Sequence, residues 1–215
     1  RLVPAHGLWI MPAVMTDDTH NPAAGGAPPL ILASASPRRR KILTELGLRF
    51  EVVIPLVDEQ DDGADPRELA MANAWAKNRW CQARHPGRHI LSADTVVFFR
   101  GRCMGKPQSL DEARTFLRAL SGDRHEVITA TAFSAPGLAP EVAPTVSTVR
   151  FRALDDATIE EYIARVNPLD RAGAYDIDHH GELLIESFEG SRTNVMGLPA
   201  ERVAAWLKRF PELLA

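Results

Sequence analysis

The stretch Leu30-Ile31-Leu32-Ala33-Ser34-Ala35-Ser36-Pro37-Arg38-Arg39-Arg40 constrains this chain more than any other. Leu30 to Ala33 read as a short buried strand. Ser36-Pro37 then starts a helix, with a side-chain oxygen to cap free N–H groups and a proline at the first helical position. Ile42, Leu43 and Leu46 recur at helical spacing, and Gly47 supplies the stop. The odd part is the charge. Arg38, Arg39, Arg40 and Lys41 fill the first turn and a half, where the helix dipole already disfavours cations. An anion at that spot removes the conflict. The hydroxyls of Ser34 and Ser36, free N–H groups and fork-shaped guanidinium donors suit a polyphosphate. A solvated basic helix end is the competing account.

Residues 1–29 differ from the rest. Leu2 to Pro12 is apolar but broken by prolines, and Asp17 to Pro29 has linker composition. The segment reads as a flexible N-terminal extension with no catalytic role, and residues 30–215 read as one domain. A hydrophobic content of 45% is ample for a core, while a net charge of −3 argues against general nucleic-acid or membrane-surface binding. The two cysteines, Cys81 and Cys103, have no CxxC spacing and read as free thiols in a reducing compartment. No apolar run is long enough for a transmembrane span, so the cytoplasm is the default location.

His89 to Phe99 is the most apolar segment and carries Asp94 in its middle. Burying a carboxylate there costs free energy unless it is paired, metal-bound or protonated, and a strand opening on a crevice is a common place for a general base. Three further charged residues are candidates. Glu59, in the acidic loop Val57 to Gly63, would be a hard oxygen ligand for magnesium; at least two of Asp58, Glu59, Asp61 and Asp62 are better read as a solvated turn. Lys77 flanks the inner stripe predicted as Leu69, Ala72, Ala76 and Trp80, on a helix opened by Asp65-Pro66. Lys106, on the turn Gly105-Lys106-Pro107, is placed to touch a phosphate, although Pro107 and the glycine spacing exclude a Walker loop.

Downstream, Ser109 to Glu112 forms a capping box, and strands are expected at His125–Phe133, Thr145–Arg152 and Glu182–Phe188. A helix over Asp155–Val166 and a closing helix bearing Val203, Trp206, Leu207 and Phe210 complete the pattern. Ser134 to Ala143 and Glu189 to Pro199 read as loops. His179 and His180 are adjacent in an extended segment and point to opposite faces, which speaks against a shared zinc ion. Alternating strands and helices with hairpin-like stretches indicate a mixed-sheet α/β fold.

The segments Ser34-Ala35-Ser36-Pro37-Arg38-Arg39, Ser92-Ala93-Asp94-Thr95-Val96-Val97, Gly105-Lys106-Pro107, Gly173-Ala174-Tyr175, Glu189-Gly190-Ser191 and Asn194-Val195-Met196-Gly197-Leu198-Pro199 together resemble the Maf family of nucleotide pyrophosphatases, in order and spacing, over nearly all of residues 30–212. The resemblance implies an elongated mixed sheet flanked by helices, with two lobes around a central cleft. It also implies hydrolysis of a nucleoside triphosphate to the monophosphate and pyrophosphate with Mg²⁺ or Mn²⁺, and a homodimer. Asp94 matches the family's proton acceptor, Ser34, Arg38 and Arg39 its phosphate loop, and Glu59, Lys77 and Lys106 its other charged cleft residues. One departure stands out. Where the dTTP/UTP branch reads Gly-Ile-Gln-Gly after the Ala-Tyr pair, this chain has Asp176-Ile177-Asp178-His179, so Asp178 stands at the substrate-selecting glutamine. An ionised acid accepts hydrogen bonds but donates none, which leaves base preference open and includes modified nucleotides. Because the family is also linked to septum formation, a nucleotide-binding regulator of cell division with little turnover is the alternative.

Overall fold

The computed structural model describes residues 28–215 except 61, 62 and 64. Most of the expected N-terminal extension, together with Asp61 and Asp62, therefore lies outside the described residues. One sheet of seven strands organises the fold: β1 (Leu30–Ala33), β2 (Phe50–Val53), β3 (Ile90–Phe99), β4 (Arg102–Met104), β5 (Arg124–Ser134), β6 (Glu141–Phe151) and β7 (Ile185–Glu189). Their order is β2-β1-β3-β5-β6-β7, with β4 paired to β3. β1 is parallel to both β2 and β3, whereas the β3–β5, β5–β6, β6–β7 and β3–β4 pairs are antiparallel. The helices are α1 (Pro37–Glu45), α2 (Pro66–Arg84), α3 (Leu110–Leu120), α4 (Asp156–Arg165), α5 (Arg192–Val195) and α6 (Ala200–Leu207). This is the mixed α/β fold that the sequence indicates. No described helix is long and apolar enough to cross a membrane.

The alternation of side chains along β3 sorts the cores. Odd positions face one side of the sheet. There Leu91 and Ala93 join Ile42 and Leu43 of α1 and Val203 and Trp206 of α6, while Val97 and Phe99 join Leu117, Ile159 and Tyr162 under α3 and α4. Between these two apolar clusters lies Thr95, with Thr129 and Thr131 of β5. A row of hydroxyls thus separates two lobes on one face. Even positions of β3 face α2, where Val96 packs with Leu69, Ala70, Ala74, Ile128 and Ala130.

Local chemistry explains the boundaries. The Ser36 hydroxyl accepts from the Arg39 N–H at 3.5 Å to cap α1, and Gly47 ends that unit at φ +70°. Asp65, Ser109, Asp155 and Ser191 cap α2, α3, α4 and α5 in the same way.

Several sequence expectations need correction. The buried stripe of α2 is Leu69, Ala70, Asn73, Ala74, Lys77, Asn78 and Cys81; Ala72 is exposed, and Ala76 and Trp80 are only half-buried. Apolar spacing misplaced the stripe because its buried members include three polar residues, each with hydrogen-bond partners. β6 begins at Glu141 and contains Pro144, which is tolerated because β7 covers only Thr148–Phe151 and leaves this half an edge. β7 starts at Ile185, after a 3-10 turn at Gly181–Leu183, and the supposed Glu189–Pro199 loop contains α5.

His125 sits in the core under α3 and α4. Its Nε2 meets the Tyr175 hydroxyl at 2.8 Å, and its ring packs edge-on against Phe151 and Tyr175. Burial lowers its pKa to about 4, so the folded chain holds it neutral. As pH falls below about 6.5 the unfolded chain takes up the proton first, and stability falls until the folded ring also protonates near pH 4. Buried His89 acts in the same sense. Urea midpoints at pH 7 and pH 5 should therefore show a loss of stability on acidification, and His125→Gln should reduce that loss.

Candidate active site

The neighbours of β3 leave a gap. β1 pairs with it as far as Ser92, and β4 pairs with it only from Val97 onward. Ala93 to Val96 therefore have no strand on that side. The carboxyl end of β1 and the N-terminus of α1 open onto the same place, the usual position for a site in an α/β sheet. A cleft of about 500 Å³ lies here, lined among others by Ser34, Ser36, Arg38, Arg39, Glu59, Lys77, Asp94 and Lys106.

Asp94 points to the α2 side. Lys77 Nζ donates to its Oδ1 at 2.7 Å, and Asn73 Nδ2 reaches Oδ2 at 3.3 Å. Both donors come from α2, four residues apart on one face. Ala70 and Ala74 flank them, and their small side chains let α2 come close enough for the Ser92 hydroxyl to donate to the Ala74 carbonyl at 2.7 Å. Lys77 Nζ also holds Glu59 Oε1 at 3.0 Å. Asn73 fixes that loop, donating to the Gln60 carbonyl and accepting from its N–H, both at 2.9 Å. Burial pushes the Glu59 carboxyl up, but Lys77, with Lys106 and Arg39 behind it, more than offsets this and holds it below its ordinary value. Two carboxylates thus converge on one ammonium inside the cleft.

The α1 mouth is the opposite wall. Ser34 Oγ accepts from the Ser36 N–H at 3.2 Å and from Arg39 Nη1 at 3.1 Å, which uses both lone pairs and leaves its proton to offer. Part of the cationic run is answered from within the protein. Arg38 Nη1 lies 3.6 Å from Asp170 and 3.8 Å from Asp176, and Lys41 Nζ is 3.1 Å from Asp178. The Asp176 side chain is fully buried, holding Arg171 Nε at 3.1 Å and the Asp178 N–H at 2.8 Å. Lys106 is exposed on a turn tied down by the Gly173 N–H, which donates to the Gly105 carbonyl at 3.0 Å.

Of the residues singled out from sequence, Asp178 is the one that the structure does not bring to the cleft. Its carboxylate is taken by Lys41 and by Arg192 Nη2 at 2.7 Å; burial raises its pKa, but these two cations more than reverse that and keep it ionised. Asp176, two residues earlier, lines the cleft instead. Sequence reasoning missed Asn73, Asp170 and Asp176. Asn73 and Lys77 at i, i+4 among alanines would have marked a polar patch on a buried helix face. His179 and His180 pair separately with Asp176 and Glu182. Among the described residues, no group of three or more His, Cys, Asp or Glu is placed to hold a metal ion.

A cationic helix mouth facing a buried carboxylate across a gap in a mixed sheet marks an α/β protein built around an anionic ligand. The chain belongs to the Maf-like protein family, whose profile matches residues 29–210. It is 44% identical over 191 residues to a dTTP/UTP pyrophosphatase of Anaeromyxobacter dehalogenans, spanning 86% of this chain and 96% of that one. A dTTP/UTP pyrophosphatase of Akkermansia muciniphila is 40% identical over 177 residues, spanning 82% and 93%. Among solved structures, a HAM1 protein from Coxiella burnetii is similar with a TM-score of 0.48 and 16% identity, covering 84% of this chain and 98% of that chain.

Removing one partner of a buried ion pair strands the other charge. Lys77→Met should cost about 3 kcal/mol of unfolding free energy, and adding Asp94→Leu should recover most of it. Urea denaturation of the two variants at neutral pH measures both effects.

Proposed function

We propose that this protein hydrolyses a nucleoside triphosphate, dTTP or UTP first among the candidates, to the monophosphate and pyrophosphate. The observation that carries the reading is the juxtaposition of Asp94 with Lys77 and Glu59 in a cleft whose other wall is the α1 mouth. The names of the relatives at 40% and 44% identity support the substrate class.

In this reading the triphosphate lies along the cleft. The mouth of α1, the Ser34 proton, Ser36, Arg38 and Lys106 receive the phosphates. Asp94 takes a proton from the attacking water as oxygen attacks the α-phosphorus and the bond to the β-phosphate oxygen breaks. Lys77 keeps Asp94 oriented and, with Lys106, neutralises charge growing on the pyrophosphate.

The donor set also fits a hard divalent cation. Glu59 and Asp94 each present a carboxylate oxygen to Lys77 Nζ, at 3.0 and 2.7 Å, so both lie on one side of the cleft, and Mg²⁺ or Mn²⁺ needs only one or two carboxylates where phosphates and water complete its shell. Those two residues would hold the ion, which would supply Lewis-acid neutralisation of the phosphate oxygens. Asp176, which lines the cleft beside Tyr175 where the resemblance places a glycine in the dTTP/UTP branch, would bear on base selection.

A panel of ordinary and modified nucleoside triphosphates with Mg²⁺, assayed for pyrophosphate, tests the reading. Release of pyrophosphate from dTTP or UTP is expected; release of orthophosphate alone would reject it. Asp94→Asn should lower turnover by about a hundredfold or more while nucleotide binding survives. Unchanged turnover would remove Asp94 from the chemistry.

A further inference from the structure

Arg39 belongs to the cationic run, yet each of its nitrogens already donates to the protein. Nε reaches the Gly197 carbonyl at 2.8 Å, Nη1 the Ser34 hydroxyl at 3.1 Å and Nη2 the Thr95 hydroxyl at 3.1 Å. Thr95 Oγ1 lies 2.9 Å from Thr129 Oγ1, and Thr129 gives its own proton to the Asn194 carbonyl at 2.9 Å. Thr95 must therefore donate to Thr129 and accept from Arg39, so each proton in the chain has one direction. The Gly197 N–H returns to the same Asn194 carbonyl at 2.9 Å and closes a ring.

The turn that closes the ring leaves no slack. Gly197 has φ +108°, and a Cβ there would stand 3.3 Å from Thr95 Oγ1 and 3.7 Å from Arg39 Nε. Only glycine lets this backbone lie against both partners. What the ring holds is the stretch of β3 between Ser92 and Val97, which is paired with β5 on one side and has no strand on the side of β1 and β4. On that side the lateral position of Asp94 rests on side chains alone. Lys77 and Asn73 grip it from one face of the sheet, and Arg39 grips the next residue from the other.

We propose that Arg39 is a positioning residue, which fixes Asp94 by holding Thr95 and does not serve as the phosphate ligand of the cationic run. The inference rests on the pyrophosphatase reading above for its kinetic consequence. The two adjacent arginines then play different parts. Arg38, tethered only by long contacts to Asp170 and Asp176, is the one able to turn to a phosphate.

The experiment is a double-mutant cycle between Arg39→Gln and Thr95→Val, with Thr95→Ser and Arg38→Gln beside it. Each member of the cycle should lower kcat about tenfold or more, and the double variant should be no worse than the poorer single. KM and inhibition by pyrophosphate should stay within about twofold in the cycle, whereas Arg38→Gln should raise KM and weaken that inhibition. Thr95→Ser keeps the hydroxyl and should retain most of the turnover. Additive losses, or pyrophosphate inhibition weakened about tenfold by Arg39→Gln, would overturn the proposal. If the wild-type protein releases no pyrophosphate from any triphosphate, the functional reading fails separately. The same cycle in urea denaturation then decides the ring: coupling of about fivefold or more in the unfolding constant upholds it, and additivity rejects it.

Discussion

A carboxylate in the middle of a buried strand is the constraint from which the rest of the structure follows. Asp94 is acceptable there because Lys77 brings a cation to 2.7 Å. That cation has to come from a helix lying close on the sheet, which explains the alanines of α2 and the displacement of its buried stripe toward polar residues. Lys77 in turn draws in Glu59, and Asn73 holds the loop that delivers it. Four polar side chains, each bonded to another, give a rigid acidic wall in which one ammonium is shared by two carboxylates.

The other wall follows the opposite logic. Cations at a helix N-terminus are unfavourable, and the fold relieves them unequally. Lys41 is neutralised by Asp178, Arg38 is held loosely by Asp170 and Asp176, and Arg39 is absorbed into hydrogen bonds. One basic run thus serves as a packing clamp, a surface ion pair and a reserve of positive charge. A ligand phosphate would compete with internal carboxylates for that charge, which tempers affinity and favours release of an anionic product.

The sequence made the strand–helix grammar and most of the charged residues that line the cleft legible, because caps, turn residues and apolar runs are local signals. Ser36-Pro37, Asp65-Pro66 and Ser109-Glu112 mark their helices correctly, and Asp94, Lys77, Glu59 and Lys106 all line the cleft. What escaped was long-range. No local pattern tells that Asp178 will meet Lys41 and Arg192, or that Thr95 and Gly197 will share a guanidinium from α1. The stripe of α2 is hidden for a related reason: polarity predicts exposure only until a partner arrives from elsewhere in the chain.

The hydroxyl row across the middle of the sheet has a mechanical consequence. β3 and β5 each contribute to both apolar clusters, Leu91, Ala93 and Phe133 to one and Val97, Phe99 and Val127 to the other, so the two lobes share these strands. Any widening of the cleft has to be absorbed as torsion of these long ribbons, spread over many residues.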